Sequence, residues 1–294
     1  MDILISSVEG NRQKLDGGAM FGNAPRPMWE KWHQPDERGR IELACRAMLV
    51  EIEAKKILCE TGIGAFFEPK LAERYGVQNP NSHILLQSLK KLGVSENDID
   101  AVILSHLHFD HAGGLLRTFA EIQEGKDTLV FPKAKYIVGA DAWKRNQTPH
   151  FRDKASFIPQ LSEKLIESKR LVVVPDGAKS LPDILPKNIS FFYSSGHTPG
   201  HMHTLVKGSK DTVVFCGDLI PGTAWLHVPI TMGYDRFPEQ LIDEKQDMYK
   251  KAVPENWILF YTHDPKFPAS RCRWDENKKA IPFEPVTELV RVKI

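Results

Sequence analysis

The chain has 294 residues, 41% hydrophobic and 26% charged, an ordinary globular profile with ample length for a large α/β core. Its 39 Lys and Arg against 38 Asp and Glu leave a net charge of +1, so no overall field draws it to nucleic acid or to an anionic membrane. No stretch has the length of a membrane span, and the first residues lack a basic leader pattern. Cys45, Cys59, Cys216 and Cys272 form no C-x-x-C pair, which points to buried free thiols in a reducing, cytoplasmic setting.

Residues 17–40 are rich in glycine, proline and aromatics, with Met20, Phe21, Met28, Trp29 and Trp32. A loop of this kind is either a lid over a site or an interface. Residues 47–53 and 56–59 read as two strands joined by a tight turn and followed by Glu60-Thr61-Gly62. Residues 81–92 predict a helix, with Leu85, Leu89 and Leu92 on one face, Asn81 or Ser82 as cap and Gly93 as stop. The apolar run 101–104 is a short buried strand that ends in Ser105-His106. A second aromatic loop, 140–157, carries Trp143, His150, Phe151 and Phe157.

The second half repeats the plan. Residues 189–193, 204–207 and 212–216 read as strands, the last two joined by a turn at 208–211 and ending in Gly217-Asp218. A helix is expected over 239–252, where Leu241, Met248 and Ala252 recur at helical spacing. The strand 257–261 then runs into Thr262-His263. In each half an acidic residue follows a hairpin and a histidine follows the strand after a helix. Continuous apolar strands imply sheets covered by helices, so the chain is of the α/β class. No linker divides it, and residues 1–294 read as one domain with loop insertions at 17–40 and 140–157.

Residues 106–111 are His-Leu-His-Phe-Asp-His. On an extended stretch His106 and His108 point the same way; a turn then brings Asp110 and His111 towards a second position. Gly113-Gly114 lets the backbone pass close by. Imidazole and carboxylate donors suit zinc, and also iron or manganese. Further donors follow at His197, His201 and His203, at Asp218 and at His263.

With those residues in view, the sequence resembles the metallo-β-lactamase-fold hydrolases. The resemblance rests on His106-x-His108-x-Asp110-His111, the segment Gly196-His-Thr-Pro-Gly-His201, Gly217-Asp218 and His263, in the family's order over about residues 45–265. It implies a four-layer αββα sandwich with two divalent metal ions at one edge. One ion would take His106, His108 and His201, the other Asp110, His111 and His263, with Asp218 bridging. His197 and His203 would stand behind the ligands or face the substrate. His203 competes with His201, because alternation puts both on one strand face. Glu60-Thr61-Gly62 departs from the family's Asp-Thr-Gly, and its acid either supports a loop or shifts towards the metals.

The implied activity is hydrolysis by a bridging hydroxide, with Asp110 orienting the nucleophile and passing a proton to the leaving group. Asp218 argues against antibiotic hydrolysis and His108 against the di-iron flavoprotein branch. The pattern is nearest to N-acyl-homoserine lactone lactonases, acting on a small-molecule ester or lactone. Their tyrosine after the bridging aspartate is missing here, where Leu219-Ile220-Pro221 stands; Tyr234 and His227 are the substitutes to consider. A glyoxalase II-like thioesterase and a non-catalytic metal-dependent binder are the alternatives. A homodimer through the exposed aromatics is a further expectation.

Overall fold

The computed structural model describes residues 2–294. The strands are β1 (Ile3–Val8), β2 (Gln13–Asp16), β3 (Arg40–Leu43), β4 (Ala47–Ile52), β5 (Lys55–Cys59), β6 (Ala101–Leu104), β7 (Lys135–Gly139), β8 (Leu171–Val174), β9 (Ile189–Ser194), β10 (His201–Lys207), β11 (Thr212–Phe215), β12 (Ile258–Phe260), β13 (Ala269–Trp274), β14 (Ala280–Val286) and β15 (Val292–Lys293). One sheet runs in the order β15-β1-β4-β5-β6-β7-β8, the other in the order β14-β13-β12-β11-β10-β9, and β2 pairs with β3 in a small ribbon.

The repeat legible in the sequence is a repeat of topology. Strands β4 and β5 pair antiparallel, and β5 pairs parallel with β6. In the second sheet β10 and β11 pair antiparallel, and β11 pairs parallel with β12. A parallel neighbour needs a crossover, and helices supply it: Ile84–Lys91 lies between β5 and β6, and Pro238–Ala252 between β11 and β12. The C-terminal ends of β5, β6, β11 and β12 therefore carry the chain into Glu60, Ser105-His106, Cys216-Gly217-Asp218 and Thr262-His263.

Alternation along the strands sorts the core into layers. Leu49, Leu58 and Val102 face the helix residues Leu85 and Leu89. Their neighbours Val50, Ile57 and Ile103 face inward, where they share a cluster with Met202, Val213 and Phe260 of the other sheet. On that sheet's far side Val214 and Leu259 pack with Leu241 and Met248 of the helix Pro238–Ala252. The order is helix, sheet, sheet, helix, as expected.

Two local expectations change. Neither Asn81 nor Ser82 caps the helix Ile84–Lys91; its N-cap is His83, without a side-chain bond. Asn11, 73 positions away, accepts from the Ile84 N–H through Oδ1 at 3.1 Å, while its amide donates to the carbonyls of Gln78, Asn79 and Ser82. A long-range side chain has replaced the local cap. The aromatic segments are also more ordered than loops. Residues 17–40 span the open end of the β2–β3 ribbon and contain the helices Gly17–Phe21 and Arg26–Trp29. There Phe21 stacks on Trp225 at 4.6 Å between ring centroids and is fully buried. Within 140–157 lies the helix Ala140–Gln147, with Trp143 and Phe157 buried and Phe151 fully in solvent.

All four cysteines are free and buried. Among the described residues no helix is long and apolar enough to cross a membrane.

Candidate metal centre

The strand ends meet at one edge of the sandwich around Asp218. Its Oδ2 lies 3.1 Å from His197 Nε2, 3.2 Å from His111 Nε2 and 3.9 Å from His106 Nε2. Its Oδ1 lies 3.2 Å from His263 Nε2. Asp110 completes the group, with Oδ1 3.7 Å from His111 Nε2 and Oδ2 3.6 Å from His263 Nε2. Three groups have donor atoms close enough together for a cation: His106–His108–His197–Asp218, Asp110–His111–His263 and, behind them, Glu60–His106–His111.

Most of the imidazoles are fixed from behind through Nδ1. His111 donates to Glu60 Oε2 at 2.7 Å, His197 to Asp235 Oδ1 at 2.9 Å and His263 to the Ala44 carbonyl at 2.7 Å. His106 Nδ1 lies 2.9 Å from Ser105 Oγ, and that hydroxyl donates onward to Glu60. Such bonds select the tautomer that turns a bare Nε2 towards a cation. The buried His106 Nε2 and Asp218 Oδ1 have no hydrogen-bond partner in the protein, and His108 turns Nδ1 to the cluster, 3.3 Å from His197 Nε2. A buried polar atom left unpaired is costly, and a metal ion would satisfy it. The donor set therefore fits a dinuclear site of His and Asp ligands.

The electrostatics agree. Burial pushes His106 and His108 well below the ordinary imidazole range, and neighbouring histidines act in the same direction. Burial also opposes charge on His111 and His263, but the facing carboxylates, Asp218 foremost, hold both well above that range. Burial would raise Asp218, yet His111, His197 and His263 hold it well below the usual carboxylate range. Cations entering the site would take over the balancing charge that protons carry without them.

His201 must be corrected. It belongs to none of these groups. Its Nε2 accepts the backbone N–H of Asp218 at 3.2 Å, and its Nδ1 lies 3.0 Å from His203 Nε2. A neutral imidazole has one lone pair on its unprotonated nitrogen, and the Asp218 amide already uses it. His201 and His203 do share one face of β10, as alternation requires, but that face supports the Asp218 turn. His197, in the turn before β10, takes the inward position instead.

Glu60 sits at the end of β5 with a positive φ of 62°. It is fully buried and joins His111, Ser105 and, through Oε2 at 3.4 Å, Thr262. The longer side chain thus supports the histidines from behind. Sequence reasoning missed Asp235, Gln13 and Arg46. Gln13 donates to Asp110 Oδ2 at 2.8 Å. Buried Arg46 ties Glu9 to the Asp264 carbonyl, next to His263. Only Asp235 carried a signal, as the carboxylate beside Tyr234.

A cavity of about 420 Å³ opens over the cluster, and Asp110, Asp218, His108, His197 and His263 line it. Tyr234 lines it too. Burial pushes its phenol up to about 12, and Asp110 adds to the shift. His227 does not reach this cavity. It follows the turn Thr223–Leu226 and lines a separate pocket with Met28, Trp32 and Lys279, so its expected catalytic place is withdrawn.

Residues 40–263 match the sequence profile of the Metallo-beta-lactamase superfamily. The chain belongs to that superfamily. Its metallo-beta-lactamase fold is the α/β type with two mixed sheets, and the chain is a metal-dependent hydrolase of the superfamily. A Bacillus protein named N-acyl homoserine lactonase is 27% identical over 243 residues, covering 76% of this chain and 82% of that one. A probable metal-dependent hydrolase from Staphylococcus aureus superposes with a TM-score of 0.83 at 28% identity, covering 97% and 98% of the two chains. AidC, a dizinc quorum-quenching lactonase solved with the product N-hexanoyl-L-homoserine, gives a TM-score of 0.74 at 21% identity, over 96% and 95%. That last likeness is one of fold.

Proposed function

We propose that the protein hydrolyses a small-molecule ester or lactone. In this reading His106, His108 and His197 hold one divalent cation, Asp110, His111 and His263 hold the other, and Asp218 lies between them. The observation that carries it is the convergence of four histidines on the Asp218 carboxylate at the floor of an open cavity. The similarity to proteins named lactonases supports the ester or lactone bond. Zinc, iron and manganese all suit the donors. When bound, the cations supply an acidified water and a Lewis acid for the substrate carbonyl.

The chain's own groups do the rest. Gln13 donates to Asp110 Oδ2 and fixes the carboxylate with Oδ1 facing His111 and Oδ2 facing His263. Asp110 takes the proton from the attacking water and returns it to the leaving oxygen as the C–O bond breaks. The water oxygen ends on the carbonyl carbon, so an ester gives an acid and an alcohol, and a lactone opens to a single hydroxy acid. Tyr234 stays protonated at neutral pH and donates its hydroxyl to the oxygen on which charge develops.

The test is a substrate panel on purified protein loaded with zinc, manganese or iron. Turnover of lactones or aryl esters, lost in Asp110→Asn, is the expected result. Cleavage of thioesters alone would move the assignment to the glyoxalase II type. Full metal content with no turnover on lactone, ester, thioester or phosphodiester would indicate a binding protein.

A further inference from the structure

The mouth of the cavity differs in chemistry from its floor. The floor residues His108, His197 and Asp218 are buried, whereas Arg74 and Arg152 are exposed at the rim. Lys14 and Arg40 line the same cavity, but Asp36 faces both, at 3.8 Å and 3.0 Å. Asp16 also lines the cavity and keeps its charge there, its Oδ1 held by the Ala19 N–H at 2.7 Å. Arg74 and Arg152 have no carboxylate within ion-pair distance among the described residues. Arg152 donates through Nη2 to the Gly233 carbonyl at 2.9 Å, which holds the guanidinium beside Tyr234 and leaves its other donors free. Arg74 lies over the Tyr75 ring, 6.0 Å from its centroid.

We infer that Arg74 and Arg152 bind an oxyanion on the substrate, a carboxylate or a phosphate, so that the ester or lactone cleaved is itself anionic. The inference rests on the ester reading above and names its substrate class. Leu15, Met20, Phe109 and Met232 line the wall between rim and floor and suit the carbon skeleton of such a molecule. A long neutral acyl chain would instead have to leave the cavity past unpaired guanidinium groups, which would lose water without gaining a partner. Guanidinium groups recognise carboxylate and phosphate through paired N–H donors, and a cationic rim also concentrates anions at the mouth.

Matched substrates test this on the metal-loaded protein: phenyl butyrate, monophenyl succinate and phenyl 3-phosphonopropionate. One anionic ester should be preferred over the neutral one by about tenfold or more in kcat/KM, carried by KM and weakening as salt rises. The better of the two anions identifies the oxyanion. Arg74→Gln and Arg152→Gln should bring the anionic-to-neutral ratio towards one, and Arg152→Lys should keep most of it. A ratio near one in the wild type, or a preference that neither substitution changes, overturns the inference. Calorimetry with the uncleavable pair N-phenylsuccinamate and N-phenylbutanamide separates it from the ester reading. Tighter, arginine-dependent binding of the succinamate without cleavage of any ester would sink the ester reading and keep the anion site. Equal binding of the two amides would remove the anion site.

Discussion

At the residue scale, the centre turns on two histidines four positions apart. His197 faces Asp218 and is held by Asp235, whereas His201 spends its acceptor nitrogen on the Asp218 backbone. His197→Ala should lower the metal content and remove nearly all turnover. His201→Ala should keep the metal but cost about 1–3 kcal/mol of stability, because a buried N–H loses its acceptor. Metal analysis and denaturant midpoints on the two variants check this, and loss of metal in His201→Ala alone would reverse the assignment. Asp235→Asn removes the negative charge behind His197 and leaves one acceptor oxygen for two donors, His197 Nδ1 and the Met232 N–H, so metal affinity should fall about 10–100-fold. Competition with a chromophoric chelator would measure it.

At the scale of elements, close backbone approach joins the two ligand-bearing segments of the first half. A Cβ on Gly114 would lie 2.1 Å from the Thr61 carbonyl oxygen, and Thr61 donates to the His111 carbonyl from both N and Oγ1. Gly114→Ala should therefore push the Phe109–Ala112 turn away from Glu60. The expected cost is about 1–3 kcal/mol of stability, with weakened metal binding, read by thermal melting and metal titration. Phe151 is the contrasting case: at 97% exposure it packs on nothing within the chain. Phe151→Ser should shift stability by no more than about 0.5 kcal/mol.

At the scale of the whole molecule, a buried lysine gives the fold a pH dependence. Lys245, on the helix Pro238–Ala252, is fully buried and donates to the carbonyls of Trp225 and Ile230. Burial pushes its ammonium down to about 7. In the unfolded chain it keeps its proton to about pH 10.4. Between those values the unfolded state holds the extra proton, so this group makes stability rise with pH from 7 towards 10. Lys245→Met should flatten that rise in urea titrations across the interval. An unchanged slope would show that Lys245 keeps its charge in the fold.

What the sequence determined is the set of ligand types and their places at strand ends. Buried apolar runs set the strands, and the hairpin-helix-strand repeat set their parallel neighbours. That topology forces Glu60, His106, Asp218 and His263 to one edge. Alternation also put His201 and His203 on one face correctly. Only the tertiary structure decided which way that face looks, because the choice depends on where the Asp218 turn crosses β10. The same holds for the Asn11 cap, the Asp235 and Gln13 partners and the exclusion of His227. Each joins positions far apart in the chain, and spacing along a sequence carries no record of which distant surfaces meet when two sheets pack.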